Sequence, residues 1–422
     1  MFVVLNLYHP LTEVTNHSQK FLFPRFTCGN VEMPTQEQLP DSTDIVIIGG
    51  GIMGTSASFF LTQRTDKDVL LLEKDAIASG ATGNSSAILR HHYDDSEVYA
   101  ESAWWSHEFY REFEQRVAEP LSMASAPLVK FAREDTARAE AVSAGYDVLS
   151  NLDIPVTWHD RSSIESRFPM YDTDDVAFGV SDDTAGYSDG TDAASGFARS
   201  ARRNGATVLT DVGVTDIRVE DGAVVGVETN NGAVACEDVL IVAGGWSPAI
   251  ASTVGVDVPL TRTRERVFLL DPPEEFKEHH LDDLATGKPP GMDDWYVRQD
   301  FGEGVLVATH HSMDHPVDDP DKPLDDPDEE DLLQLIDSLE ATIPGLADAG
   351  IVGKYSGIYS NTPDHDFIID QTGPSGCYIA CGFSGHGFKH APSVGRIVTD
   401  LITEGSTDFL DIKPFSIDRF EE

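Results

Sequence analysis

Basic residues are scarce in this 422-residue chain. It holds 29 Lys and Arg, ten of them Lys, against 73 Asp and Glu, a formal net charge of −44. That deficit excludes ordinary nucleic-acid binding, because phosphate contacts need clustered cations. It also disfavours docking on anionic lipid. No apolar run approaches the roughly 20 residues that a bilayer-spanning helix needs. Cysteine is nearly absent, and Cys28, Cys236, Cys377 and Cys381 fit no zinc spacing and no dense disulfide framework. A reducing, cytoplasmic compartment is expected, with Cys377 and Cys381 as small core residues in or beside a strand. The 40% hydrophobic content, with 21 Phe, excludes a disordered acidic tail. The length suggests two or three domains.

The acids are spread along the chain. In ordinary salt so much charge of one sign opposes compaction, whereas at molar salt the Debye length falls to roughly 3 Å and screens the repulsion. The expected source is an extreme halophile. The first 32 residues differ from the rest: Glu13 and Glu32 cancel Lys20 and Arg25, so the remainder carries the whole −44. The segment lacks the basic and apolar regions of a signal peptide. Residues 1–41 are therefore read as an extension or a mis-assigned start, with Met33 as the expected first residue.

Residues 44–48 (DIVII) predict a short buried strand, followed by a glycine turn and an apolar helix from Ile52 to about Arg64. A second strand, Val69 to Leu72, ends at Glu73. Gly49, Gly51 and Gly54 form G-x-G-x-x-G. The first permits a tight turn, the second lets a pyrophosphate approach the backbone, and the third lets helix and strand pack closely. The helix start, at Ile52 and Met53, turns free N–H groups and a positive dipole end toward the phosphates. The Glu73 carboxylate suits both ribose hydroxyls of an adenosine and repels a 2′-phosphate. The unit predicts dinucleotide binding without separating FAD from NAD.

Beyond Gly83 the chain reads as helical, with an aromatic-rich stretch from Tyr99 to Phe113, and residues 126–184 read as mixed strand and loop. Residues 190–204 predict a helix. Short strands follow around Val208, Val214 and Val224, then the apolar strand Val239–Ala243. RVFLL and VLVAT, within 256–311, are strand-like. The acidic, Pro-rich stretch from Asp314 to Asp328 reads as a solvated loop, since it has no Gly-centred calcium spacing. A helix is expected at about Glu329–Ala341.

Three further segments carry a resemblance: ASGATGNSSAILRHHY at 78–93, VLIVAGGWSP at 239–248, and CGFSGHGFK at 381–389. With the glycine loop they resemble the D-amino-acid oxidase superfamily of FAD enzymes, most closely its sarcosine oxidase and dimethylglycine dehydrogenase branch, over roughly residues 42–420. The resemblance implies an α/β fold. A Rossmann-like FAD-binding domain would come from 42–125, 185–255 and 352–422. A substrate domain on a mostly antiparallel sheet would come from 126–184 and 256–351. It implies that Lys74 and the stretch of Ser79, Ala81 and Thr82 run beside the cofactor, that the Val214 backbone meets adenine, and that Gly244 allows close approach. Gly385, His386, Gly387, Phe388 and Lys389 would face the flavin pyrimidine end, where a helix start stabilises negative charge.

In this branch an Arg and a Lys clamp the substrate carboxylate, and the matching residues are Arg90 and Lys389. Tyr359 resembles a pocket aromatic and His310 a His near the flavin. His91, His92 and His386 are weaker candidates. Four departures stand out. Gly357 replaces the Cys that binds flavin covalently in the oxidases. Gly83-Asn84-Ser85-Ser86 lacks the His that does so in the dehydrogenases. Leu306 replaces a Lys that promotes reaction with oxygen, and Ala87 replaces a second Arg. The expected activity is oxidation of a small secondary or tertiary amino acid by non-covalent FAD, with O2 or an electron carrier as acceptor. A D-amino acid or 2-hydroxy acid substrate, or a non-catalytic partner subunit, are the alternatives.

Overall fold

The computed structural model describes residues 38–420, apart from position 135 and residues 311–314. Met33, Cys28 and the balanced leading segment lie outside them. The central sheet uses β1 (Ile45–Ile48), β2 (Val69–Leu72), β3 (Thr207–Leu209), β4 (Asp238–Ile241), β5 (Ile368–Gln371) and β6 (Cys377–Cys381), in the order β5-β6-β4-β1-β2-β3. Every pairing is parallel except β5 with β6.

Side chains alternate across a strand, and here both faces are covered. Ile45 and Ile47 join a core with the helices, while Val46 and Ile48 join one with the small antiparallel sheet of Val214–Glu220, Ala223–Thr229 and Gly232–Ala235. That explains why the central strands read as unbroken apolar runs. Helix α1 (Ile52–Arg64) is buried from Ile52 through Leu61. It lies between α2 (Gly190–Arg203) and α3 (Ala391–Glu404). The Ser56 hydroxyl donates to the Ala391 carbonyl at 2.8 Å, and any Cβ on Gly395 would sit 2.3 Å from Ser56 Oγ.

A second, antiparallel sheet runs Trp295–Asp300, Gly304–Thr309, Thr261–Asp271, Gly350–Asn361. Its core is closed by Leu335 and Leu339 of the helix Glu329–Thr342. This mixed fold, parallel centre plus antiparallel sheet, is the one expected from the sequence.

Two local expectations differ. The aromatic helix starts only at Glu97, and residues 83–96 are irregular chain with short turns and the two-residue strand Ile88–Leu89. Within 126–184 lies a 15-residue helix, Ala137–Asn151, capped by Thr136 accepting from the Ala139 N–H at 3.1 Å. Its alanine content favours a helix, but Gly145 obscures the pattern. That glycine admits the His92 ring, whose Cε1 would lie 2.0 Å from a Cβ. Cys236, Cys377 and Cys381 are buried free thiols, each pushed up by burial, to about 12, 11 and 12.

Candidate active site

The turn between β1 and α1 opens a cavity of about 760 Å³. Gly49 has φ +120°, and a Cβ there would meet the Val242 carbonyl oxygen at 2.6 Å. A Cβ on Gly54 would sit 2.0 Å from the Gly49 oxygen, so this position is held by packing within the protein. Gly51 is different. Its Cβ would meet only Thr82 Oγ1, at 3.2 Å, on the cavity side. That is the cradle a close-approaching pyrophosphate needs. The Glu73 carboxylate lines the cavity, held by the N–H groups of Gly50 (2.6 Å) and Asp75 (2.8 Å).

The other sequence-derived cofactor residues fall as follows. Ile52, Met53, Lys74, Ser79, Ala81, Thr82, Val214, Gly244, Gly385, Gly387 and Phe388 line this cavity. The Ile52 N–H donates to Thr82 Oγ1 at 3.0 Å. Gly54 packs behind it, and His386 and Lys389 face a neighbouring cavity instead. The acidic loop is more than a solvated stretch. Pro320, Asp321, Lys322 and Pro323 line the cavity, and Asp321 accepts from Lys74 Nζ (2.6 Å) and Trp246 Nε1 (2.8 Å). Both donors hold the Asp321 carboxyl below its usual range. Among the described residues no group of three or more His, Cys, Asp or Glu could hold a metal.

A second cavity, of about 250 Å³, shares Ser85, Ser86, Tyr296, Tyr359, Gly385 and Phe388 with the first. Arg90, Lys389, Tyr359 and His310 all line it. Lys389 is 5% exposed, and its Nζ donates to the His386 carbonyl at 3.3 Å. Burial, then the charge of Arg90, drives its amine well below the ordinary Lys range. Arg90 stacks over the Tyr93 ring at 4.1 Å and donates to the His92 carbonyl at 2.7 Å. Among the described residues neither cation has a carboxylate within 4 Å. Two cations converge on one cavity, and a bound carboxylate is the charge they lack. The His310 and Tyr359 rings meet edge to face at 5.9 Å.

Three further cations line the same cavity: Lys130, Arg138 and Lys288. Sequence reading missed them. The signal was the scarcity of cations itself, since in so acidic a chain each Lys is worth locating. His91 and His92 are fully buried and line neither cavity. His91 bridges Asp182 and His107, both at 3.0 Å, and His92 meets the Val142 carbonyl at 3.2 Å. His386 lies 3.2 Å from the Tyr93 hydroxyl, which also meets His390 at 2.7 Å. Gly357 lines the large cavity, with Asn84 against it. Leu306 packs with Val267, Tyr296 and Ala308, which line the cavity while it stands behind them. Ala87 is buried.

Comparison with known proteins places these cavities in context. The FAD dependent oxidoreductase (DAO) family matches residues 44–401. Monomeric sarcosine oxidase of Bacillus sp. (strain B-0618) is 26% identical over 382 residues, covering 89% of this chain and 96% of its own. N-methyl-L-tryptophan oxidase of Salmonella heidelberg (strain SL476) is 24% identical, covering 90% and 99%. The solved structure of L-proline dehydrogenase from P. horikoshii superposes with a TM-score of 0.79 at 24% identity, covering 91% of this chain and 99% of that one.

Proposed function

Because the chain belongs to the DAO family of FAD-dependent oxidoreductases, we propose that it oxidises a small secondary or tertiary amino acid such as sarcosine, dimethylglycine or proline. The observation that carries this reading is the convergence of Arg90 and Lys389 on a cavity continuous in lining with the glycine-loop cavity. FAD, when bound, supplies a two-electron acceptor for a C–H bond beside nitrogen. Gly49, Gly51 and Glu73 would hold its adenosine diphosphate part, and Gly385 to Phe388 its ring end. The FAD-binding part is assigned to 42–125, 185–255 and 352–422, and the substrate part to 126–184 and 256–351.

Arg90 and Lys389 bind the substrate carboxylate and so fix which C–H bond faces the large cavity. Tyr359, Tyr296 and Phe388 wall that junction with rings and exclude water. Burial holds the Tyr359 hydroxyl well above its ordinary range, so it stays neutral. The amine is presented as the free base, and the imine product hydrolyses in water. FAD is held non-covalently, since Gly357 and the 83–86 stretch offer neither the Cys nor the His that bonds flavin in the resembled enzymes. An acceptor other than O2 is favoured by the apolar Leu306, Val267 and Ala308, which bring no cation to that wall.

The test is anaerobic flavin bleaching at molar KCl with sarcosine, dimethylglycine, proline and D-alanine, followed by air. Bleaching by an N-alkyl amino acid is expected, with slow recovery in air. Bleaching by none of the four, and by no other N-alkyl amino acid, would refute the reading, and rapid reoxidation would refute the acceptor assignment.

A further inference from the structure

We propose that the substrate carries a second carboxylate, held by Lys130, Arg138 and Lys288, so that the compound oxidised is a dicarboxylic secondary amino acid. This rests on the amino-acid reading above. Five cations line a cavity of about 250 Å³, and among the described residues no Asp or Glu does. The chain has 73 acids with which to neutralise its 29 Lys and Arg. Gathering five cations without an acid in the wall runs against that composition. Arg90 and Lys389 suffice for one carboxylate. The other three exceed its needs.

Two of these three, Arg138 and Lys288, keep their charge unspent. Lys130 is paired with Asp94, 2.5 Å away, so its charge is largely offset. Arg138 donates Nε to the Phe131 carbonyl at 2.7 Å, and no carboxylate lies within 4 Å of its guanidinium among the described residues. Lys288 donates to the Asp293 carbonyl at 2.5 Å, a neutral partner. Their proximity is electrostatically visible. Burial, then Arg138, holds the Lys288 amine down against the attraction of Asp293, Asp294 and Glu265. Burial lowers Lys130 to about 8, with Arg90 and Arg138 opposing Asp94.

Backbone geometry places two of the three, Lys130 and Lys288, while Arg138 is an exposed residue of the helix Ala137–Asn151. Lys130 sits on the strand Leu128–Ala132. The loop that carries Lys288 is clipped to that strand by two hydrogen bonds. The Thr286 N–H donates to Pro127 O at 2.9 Å, and the Val129 N–H donates to Thr286 O at 3.0 Å. Gly287 has φ +131°, and a Cβ there would lie 2.9 Å from Val129 O. Only glycine lets the loop come this close. These three cations line the smaller cavity alone, while six residues are shared with the large one. A substrate anchored by Arg90 and Lys389 thus meets them within the same enclosure.

The experiment compares N-methylglutamate with its γ-amide, N-methylglutamine, in the holoenzyme at the lowest KCl that keeps it folded. The two have nearly the same shape and differ by one charge. Anaerobic flavin reduction gives one readout. A second is binding, followed by flavin absorbance, of the non-oxidisable pair 2-(methylthio)glutarate and its γ-amide. The diacids should bind and react roughly 30-fold better, the scale of one hydrogen bond between charged groups. Arg138→Gln with Lys288→Gln should bring the ratio below about 3. A ratio near one in the native enzyme, or a ratio that survives the double substitution, would overturn the proposal. Lys288→Gln alone, checked by its retained flavin spectrum, serves if the double variant fails to fold. If no amine bleaches the flavin yet the diacid thioether binds selectively, the dianion pocket stands and the amine-oxidation reading falls.

Discussion

Lys389→Met removes a buried ammonium while keeping the length and apolar stem of the side chain, and two consequences of opposite sign follow. In the free protein Lys389 is 5% exposed, and among the described residues the hydrogen bond its amine makes is to one carbonyl at 3.3 Å. A depressed Lys value means that the unfolded chain binds the proton more readily. The penalty is therefore complete below the folded value and fades as pH rises toward the ordinary 10.5. Methionine removes that penalty, so stability near neutral pH should rise by about 1–3 kcal/mol. For a chain of this length that is a Tm increase of a few degrees. Affinity moves the other way. A hydrogen bond from a charged donor to a carboxylate contributes about 1.5–3 kcal/mol, which is about 10- to 150-fold in kcat/KM. Substrate affinity of the native enzyme should also fall as pH rises through the depressed Lys389 value, whereas the variant should lack that limb. Thermal release of flavin fluorescence and anaerobic reduction across pH measure both. A Tm that drops would refute the uncompensated buried charge. Substrate affinity within threefold of native, with the same pH profile, would refute the clamp.

Gly51→Ala and Gly54→Ala separate cofactor approach from packing. The first meets only Thr82 Oγ1 at 3.2 Å, so the apoprotein should keep its Tm within a degree or so while FAD affinity drops by about tenfold or more. The second drives a Cβ to 2.0 Å from the Gly49 oxygen and should destabilise the apoprotein as well. Equal apoprotein stability in the two would contradict the assignment. Raising KCl from 0.1 to 2 M should raise Tm by on the order of 10 °C, by screening the self-repulsion of a −44 chain. A flat or falling Tm would dismiss the halophile reading. Acid precipitation should release FAD into the supernatant, and flavin retained in the pellet would show a covalent bond.

The β1–α1–β2 unit was legible because its signals are local: an apolar run, three glycines at fixed spacing, an acid at the next strand end. The carboxylate clamp was reached through the short segments around Arg90 and Lys389, since nothing in residue type alone tells these cations from surface ones. The helix Ala137–Asn151 was hidden because its glycine serves a tertiary need, the seating of His92. Lys130 and Lys288 were invisible as partners because two backbone hydrogen bonds join a strand to a loop far from it in sequence. Asp321 read as one more solvated acid, and only the fold sets Lys74 and Trp246 against it.

The central sheet seats β1 beside β4, and β4 beside β6, so early and late chain segments interleave. The glycine turn at 49–54 is synthesised long before Gly385 to Lys389, which complete both cavities. At about 5–20 residues per second the interval is roughly 20–70 s. Throughout it the cofactor can be gripped at one end only, and β1 lacks its neighbour β4 for more than half of that time. Such non-local pairing slows folding, and a ligand that binds only the finished state pulls the equilibrium toward it by mass action. FAD would thus act as a folding ligand as well as a reagent, and cells starved of flavin should hold more of this chain in a form open to proteases.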